Sequence, residues 1–147
     1  MKVQDIMTGE PRSLTPESSA REAAQLMKEM DTGVIPVVES SSSRKLVGVV
    51  TDRDIAIRLV AEGKDADCRI SEVMSSGRLA TCGPTDDVDR AMETMSREQV
   101  RRIPIVDERG SLVGVVSQAD VVRLSGTDKQ AEKPDEQISQ PGGSHQP

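Results

Sequence analysis

The 147-residue chain carries a formal net charge of −6 and has no Phe, Tyr or Trp. That composition excludes a platform that stacks single-stranded bases on aromatic rings. It also argues against a surface that neutralises nucleic-acid phosphates, although a local basic spot can still hold one small phosphate. Hydrophobic residues make up 35% of the chain and thin out in the polar C-terminal stretch. Two separate cores of about 60 residues would each be marginal, so two half-domains sharing one core are expected.

Met1 to Asp5 lack the apolar stretch of a secretory leader. No apolar run has the length of a membrane span. A cytoplasmic location without membrane contact is the expectation. From Val3 onward an internal repeat organises the chain. The first copy runs Val3-Gln-Asp-Ile-Met7-Thr8, Ser13-Leu-Thr-Pro16, a segment from Ala20 to Met30, and Gly33-Val-Ile-Pro36-Val-Val38. It ends in Leu46-Val-Gly48-Val-Val-Thr51-Asp-Arg-Asp54-Ile55. The second runs Ile70-Ser-Glu-Val-Met74-Ser75, Thr81-Cys-Gly-Pro84, Val88 to Met95, and Arg101-Arg-Ile-Pro104-Ile-Val106. It ends in Leu112-Val-Gly114-Val-Val-Ser117-Gln-Ala-Asp120-Val121. The serine-rich loop Glu39 to Lys45 lengthens copy one.

Within copy one, Ser19 and Glu22 form a plausible capping box. Ala20, Ala23, Ala24 and Met27 then follow the i, i+3, i+4, i+7 pattern of one helical face. Val88, Ala91, Met92 and Met95 repeat it. The methionines read as core. The β-branched runs 34–38 and 46–50, with 103–106 and 112–116, predict buried strands. Helices are predicted at about 52–61 and 118–124, and short strands near 12–14 and 79–81. The mixed α/β chain therefore divides into repeats at 1–63 and 64–125. A polar tail at 126–147 is expected to be disordered.

Candidate chemistry sits where each copy repeats Gly-Val-Val-(Thr/Ser)-x-x-Asp, with Thr51 and Asp54 in the first and Ser117 and Asp120 in the second. A hydroxyl and a carboxylate at a helix start can meet a ribose diol, and free N–H groups there favour phosphate. Simple helix capping explains the same residues. Arg101-Arg102 can clamp a phosphate, or can be a solvated face. Copy one has Gly33-Val34 at that place. Asp52-Arg53-Asp54 alone is poor evidence for a metal. The single histidine, His145, lies in the tail, so no internal imidazole serves as a base, triad member or zinc ligand. Cys68 and Cys82 read as small free thiols. These features suit a binding protein rather than an enzyme.

The ordered pattern Asp-Ile-Met-Thr, capped helix, Ile-Pro-Val-Val strand and Thr-Asp-Arg-Asp-Ile resembles tandem cystathionine-β-synthase (CBS) domains over Met1 to Ser125. The resemblance implies two β-α-β-β-α repeats packed sheet to sheet with pseudo-twofold symmetry, with two clefts between them. It implies AMP, ADP or ATP as a regulatory ligand, with S-adenosylmethionine and NAD as variants, a homodimer, and an unidentified regulated protein. Carried over by position, the ribose contacts are Thr51 with Asp54 and Ser117 with Asp120. Met7, Thr8, Val34, Ile35 and Pro36 would line the adenine pocket closed by Asp120. Arg102, and with it Arg101, would hold phosphate, with Arg53 a weaker candidate. The missing basic pair in copy one implies unequal sites. A ligand-independent dimerisation or interaction module is the competing reading.

Overall fold

A computed structural model describes residues 1–125. The tail at 126–147, with His145, lies outside the described residues. Two compact units are present, and they do not follow the sequence repeats. One unit joins Met1–Pro11 to the stretch that begins at Ala80, and the other is built from Arg12–Leu79. The first eleven residues of copy one thus pack with copy two.

In the second of these units, α1 (Ala20–Met30) opens with the expected box. Ser19 Oγ accepts from the Glu22 N–H at 3.1 Å, and Glu22 Oε1 accepts from the Ser19 N–H at 2.8 Å. Two of the four unpaired N–H groups of the first turn region are thereby satisfied. The helix buries Ala20, Ala23, Leu26 and Met27. Ala24 is exposed, because Leu26 and Met27 together turn the apolar stripe away from it. Strands β2 (Val34–Val38) and β3 (Leu46–Thr51) pair antiparallel, with Val34 opposite Thr51 and Pro36 opposite Val49. Beyond β3 comes a short α2 (Asp52–Asp54) and then a π-helical turn, Ile55–Val60. The expected single α-helix at 52–61 is therefore broken in type, and Leu59 is its buried anchor.

The other unit repeats the plan. Here β1 (Thr8–Gly9), α3 (Val88–Glu98), β4 (Arg102–Val106), β5 (Leu112–Ser117) and α4 (Gln118–Ser125) follow in order. The sheet order is β1-β5-β4. Arg102 lies opposite Ser117 and Pro104 opposite Val115. Both hairpins carry a register shift at the same place, between Val37 and Val38 and between Ile105 and Val106. The prolines stand in edge strands, where a missing N–H is tolerated. Their carbonyls accept from Leu14 N at 3.1 Å and from Cys82 N at 3.3 Å. The expected short strands at 12–14 and 79–81 shrink to single parallel bridges, Leu14 with Val37 and Cys82 with Ile105.

Each unit has its own aliphatic core. Ile35, Val37, Val50, Ile70 and Val73 centre one. Val3, Ile103, Ile105, Val116 and Met95 centre the other. Burial of such side chains contributes roughly 25 cal/mol per Å² of apolar surface. Thr94 stands where α1 has Leu26, and its hydroxyl is 3.8 Å from Cys82 Sγ. No buried side-chain nitrogen or oxygen lacks a partner among the described residues.

Candidate functional site

Each β-strand that leads into a second helix delivers one hydroxyl–Asp pair. At the end of β3, the Thr51 N–H donates to Asp54 Oδ2 at 3.0 Å, and Asp54 N–H donates to Thr51 Oγ1 at 3.0 Å. At the end of β5, Ser117 N–H donates to Asp120 Oδ2 at 3.1 Å, and Asp120 N–H donates to Ser117 Oγ at 3.0 Å. Both pairs are reciprocal capping boxes, so the capping explanation is physically present at each. Capping uses one carboxylate oxygen for the backbone, and the other faces side chains.

Those side chains differ between the units. Asp54 Oδ1 lies 3.8 Å from Arg58 Nε, and Ser75 Oγ donates to both Asp54 oxygens at 3.2 Å. Asp120 Oδ1 accepts from Arg123 Nη2 at 2.9 Å. Asp54 is buried and Asp120 half-buried. Arg58 also donates to the Met74 carbonyl at 2.7 Å, which ties the π-helical turn to the Met74–Ser75 segment. Ser75, Arg58 and Arg123 carry no mark in the hydroxyl–Asp motif. The repeat itself held the signal for Ser75, because Met74-Ser75 is the copy-two match of Met7-Thr8.

The structure groups the expected site residues by unit. Met7, Thr8, Arg101, Arg102, Ser117 and Asp120 share one, and Val34, Ile35, Pro36, Thr51 and Asp54 share the other. Thr8 is paired with Val115 and Gly9 with Gly114, so β1 runs beside the strand that carries Ser117. Gly114 is required there, because a Cβ would meet Met7 Sδ and come within 3.1 Å of the Thr8 carbonyl. Arg102 is half-buried, sits across the ladder from Ser117, and makes no ion pair among the described residues. Val34 takes the same position opposite Thr51. A cation beside one hydroxyl–Asp pair is thus replaced by an aliphatic group beside the other.

Several expected features are modified. Ile35 and Pro36 are buried, with Ile35 part of the aliphatic core. Arg53 is exposed. The N–H groups that open α2 are already used, Asp52 N by the Gly33 carbonyl at 2.9 Å and Arg53 N by Asp52 Oδ1 at 2.8 Å. They are not free donors for a phosphate. Among the described residues no group of three or more His, Cys, Asp or Glu is placed to hold a metal ion. No helix among them is long and apolar enough to cross a membrane. Burial raises the Cys82 thiol above its ordinary value, against a smaller opposing effect of the Thr94 hydroxyl. Cys68 is raised too, first by burial and then by Glu72.

Two copies of one strand-pair-and-helix plan, each ending in a hydroxyl–Asp box, define a duplicated module. The sequence pattern of the CBS domain matches at residues 3–61 and 70–126, and the chain belongs to that family. It is 42% identical over 119 residues to the CBS domain-containing protein YhcV of Bacillus subtilis, covering 81% of each chain. Inosine-5'-monophosphate dehydrogenase of Streptococcus pyogenes matches at 33% identity, over only 22% of its own length. Among solved structures, CBS domain protein PAE2072 from Pyrobaculum aerophilum, complexed with AMP, superposes with a TM-score of 0.72. The two are 30% identical, with 82% of this chain and 90% of that one covered. The CBS domain pair of protein MJ0100, in complex with 5'-methylthioadenosine and S-adenosyl-L-methionine, gives 0.74 at 30% identity. That match covers 88% of this chain and 98% of the other.

Proposed function

We propose that the protein is a regulatory sensor that binds an adenine nucleotide (AMP, ADP or ATP) and acts on a partner protein. The observation that carries this reading is the placement of Arg102 directly across the ladder from Ser117, in the unit that also holds Asp120. A carboxylate, a hydroxyl and a guanidinium at one strand end match a ribose diol and its phosphate. The AMP in the PAE2072 structure supports the same ligand class. The S-adenosylmethionine in MJ0100 marks the nearest alternative ligand. Adenine would lie between aliphatic groups, since the chain has no aromatic ring. The reading is one of binding and not of catalysis, in a cytoplasmic homodimer.

Calorimetric titration of nucleotide-stripped protein with AMP, and with ATP as competitor, tests it. Saturable heat that Asp120→Ala and Arg102→Ala weaken is the expected result. Absence of heat with AMP, ATP and S-adenosylmethionine alike would overturn the reading. The competing reading, a ligand-independent dimerisation or interaction module, draws on the internal satisfaction of Asp54 by Thr51 and Ser75. It predicts partner capture that added AMP or ATP leaves unchanged.

A further inference from the structure

Ser75 and Thr8 occupy matched places. Ser75 is bridged to Val49 of β3, and Thr8 is paired with Val115 of β5. Val49 and Val115 precede Thr51 and Ser117 by the same two residues. The hydroxyls nevertheless do different things. Ser75 Oγ is 3.2 Å from each oxygen of Asp54. Thr8 is exposed and makes no hydrogen bond to Asp120 among the described residues.

A vicinal diol engages a carboxylate by giving a hydroxyl to the oxygens, and a carboxylate only accepts. Ser75 already stands on both Asp54 oxygens. Oδ2 also takes the Thr51 N–H at 3.0 Å, and Oδ1 faces Arg58 at 3.8 Å. Among the described residues Asp120 has its backbone donor and Arg123, and no hydroxyl donor. We infer that Ser75 is a latch on the copy-one carboxylate: its hydroxyl occupies the acceptor sites a ribose diol needs. The Asp120 site therefore fills first, and Asp54 accepts ligand only when the Ser75 side chain rotates away. This rests on the nucleotide-binding reading above and assigns Ser75 as a positioning residue that acts through Asp54.

The latch is separable from the fold. The Ser75 backbone is held by two bonds to Val49, N–H to carbonyl in each direction at 2.8 and 2.9 Å. Ser75→Ala keeps both. The ligand competes with one hydrogen bond to a charged group, so its removal should strengthen binding at Asp54 by roughly tenfold.

The test is AMP titration of the full, nucleotide-stripped chain in an Asp120→Asn background, with and without Ser75→Ala. Asparagine keeps an acceptor for the Ser117 N–H, so the helix cap survives. The expected result is a roughly tenfold gain in AMP affinity on Ser75→Ala, absent with 2'-deoxy-AMP, which lacks the diol. A purely structural role for Ser75 would give a loss or no change, and would not depend on the 2'-hydroxyl. Equal AMP affinity with and without Ser75→Ala, in a protein whose wild type binds AMP, overturns the latch and leaves the sensor reading standing. Silence toward AMP, ATP and S-adenosylmethionine in wild type and variants alike overturns both.

Discussion

Gly48→Ala should destabilise the unit that carries Asp54, and the size follows from one contact. A Cβ at Gly48 would lie 2.7 Å from the Ser75 carbonyl oxygen and 3.0 Å from Met74 Sδ. The usual closest carbon–oxygen approach is about 3.3 Å, so the Met74–Ser75 backbone must retreat by about half an ångström. Met74 Sδ can swing aside, but the Ser75 carbonyl is bonded to Val49 N at 2.9 Å and its own N–H to Val49 O at 2.8 Å. Weakening both bonds costs about 1–3 kcal/mol, in line with overpacking elsewhere. The reduced freedom of the unfolded chain returns about 0.4–1 kcal/mol. The expected net loss is about 1–2 kcal/mol, or a fall in Tm of about 5–10 °C. Far-UV circular dichroism is the assay, because the chain has no Trp or Tyr to report by fluorescence. Gly114→Ala should cost at least as much, since its Cβ would meet Met7 Sδ and lie 2.9 Å from Met7 Cγ and 3.1 Å from the Thr8 carbonyl, and Gly9→Ala, with nothing within 4 Å, should cost nothing measurable. If Gly48→Ala melts with the wild type, the close approach of residues 74–75 to β3 is wrong, and Ser75 is not held where it can latch Asp54.

Three further outcomes follow from the site and its supports. Asp120→Ala should cost about 1 kcal/mol from the lost cap and weaken AMP binding, whereas Arg102→Ala should weaken binding with little change in melting temperature. Calorimetry and thermal melts on the two variants separate these effects. Ser19→Ala removes the acceptor for the Glu22 N–H and should cost about 1 kcal/mol, read by urea denaturation. Cys82, buried and with its thiol pushed above the ordinary value of 9.0, should resist alkylation at neutral pH until the protein unfolds. The thiol is more easily ionised in the unfolded chain. Its contribution to stability is therefore whole below 9.0 and lost as pH rises through the raised folded value, and Cys82→Ala should flatten that alkaline decline in a melt series.

The plan of each half was legible because local signals agreed with one another. Ser19 with Glu22 marked a helix start, and the β-branched runs around Pro36 and Pro104 marked strands; the structure contains all of them. The departures have physical causes. The face of α1 turned from Ala24 to Leu26, because the larger side chain gains more by burial. The segment after Asp54 became π-helical, which no periodicity announces, and there Arg58 reaches the Met74 carbonyl. Sequence repeats and compact units also diverged. The family pattern matches the first copy from residue 3, yet Met1–Pro11 packs with the second copy. Similarity along the chain records duplication, whereas packing records which strand edge the segment pairs with, here β5.

The site was legible as residue types and not as a state of those residues. The duplicated hydroxyl–Asp spacing marked Thr51, Asp54, Ser117 and Asp120, and the basic pair in copy two alone pointed to inequality. The structure deepens that inequality in two independent ways. Across the ladder, Arg102 faces Ser117 where Val34 faces Thr51. Beside the carboxylate, Ser75 bonds Asp54, whereas Thr8 makes no hydrogen bond to Asp120 among the described residues. On the proposed nucleotide-binding reading, both differences favour ligand at Asp120, one by attraction and one by removing a competitor. In the Asp54 unit the two positions converge on one pair, Val34 across the ladder from Thr51 and Ser75 on Asp54, so replacing both acts on a single site and the two gains need not add. A double change, Val34→Arg with Ser75→Ala, should therefore bring the Asp54 site toward the Asp120 site in affinity, with each single change giving part of the gain. Titration stoichiometry rising from one AMP per chain toward two is the result that agrees; a double variant no better than its better single parent would show that only one of the two differences governs the site.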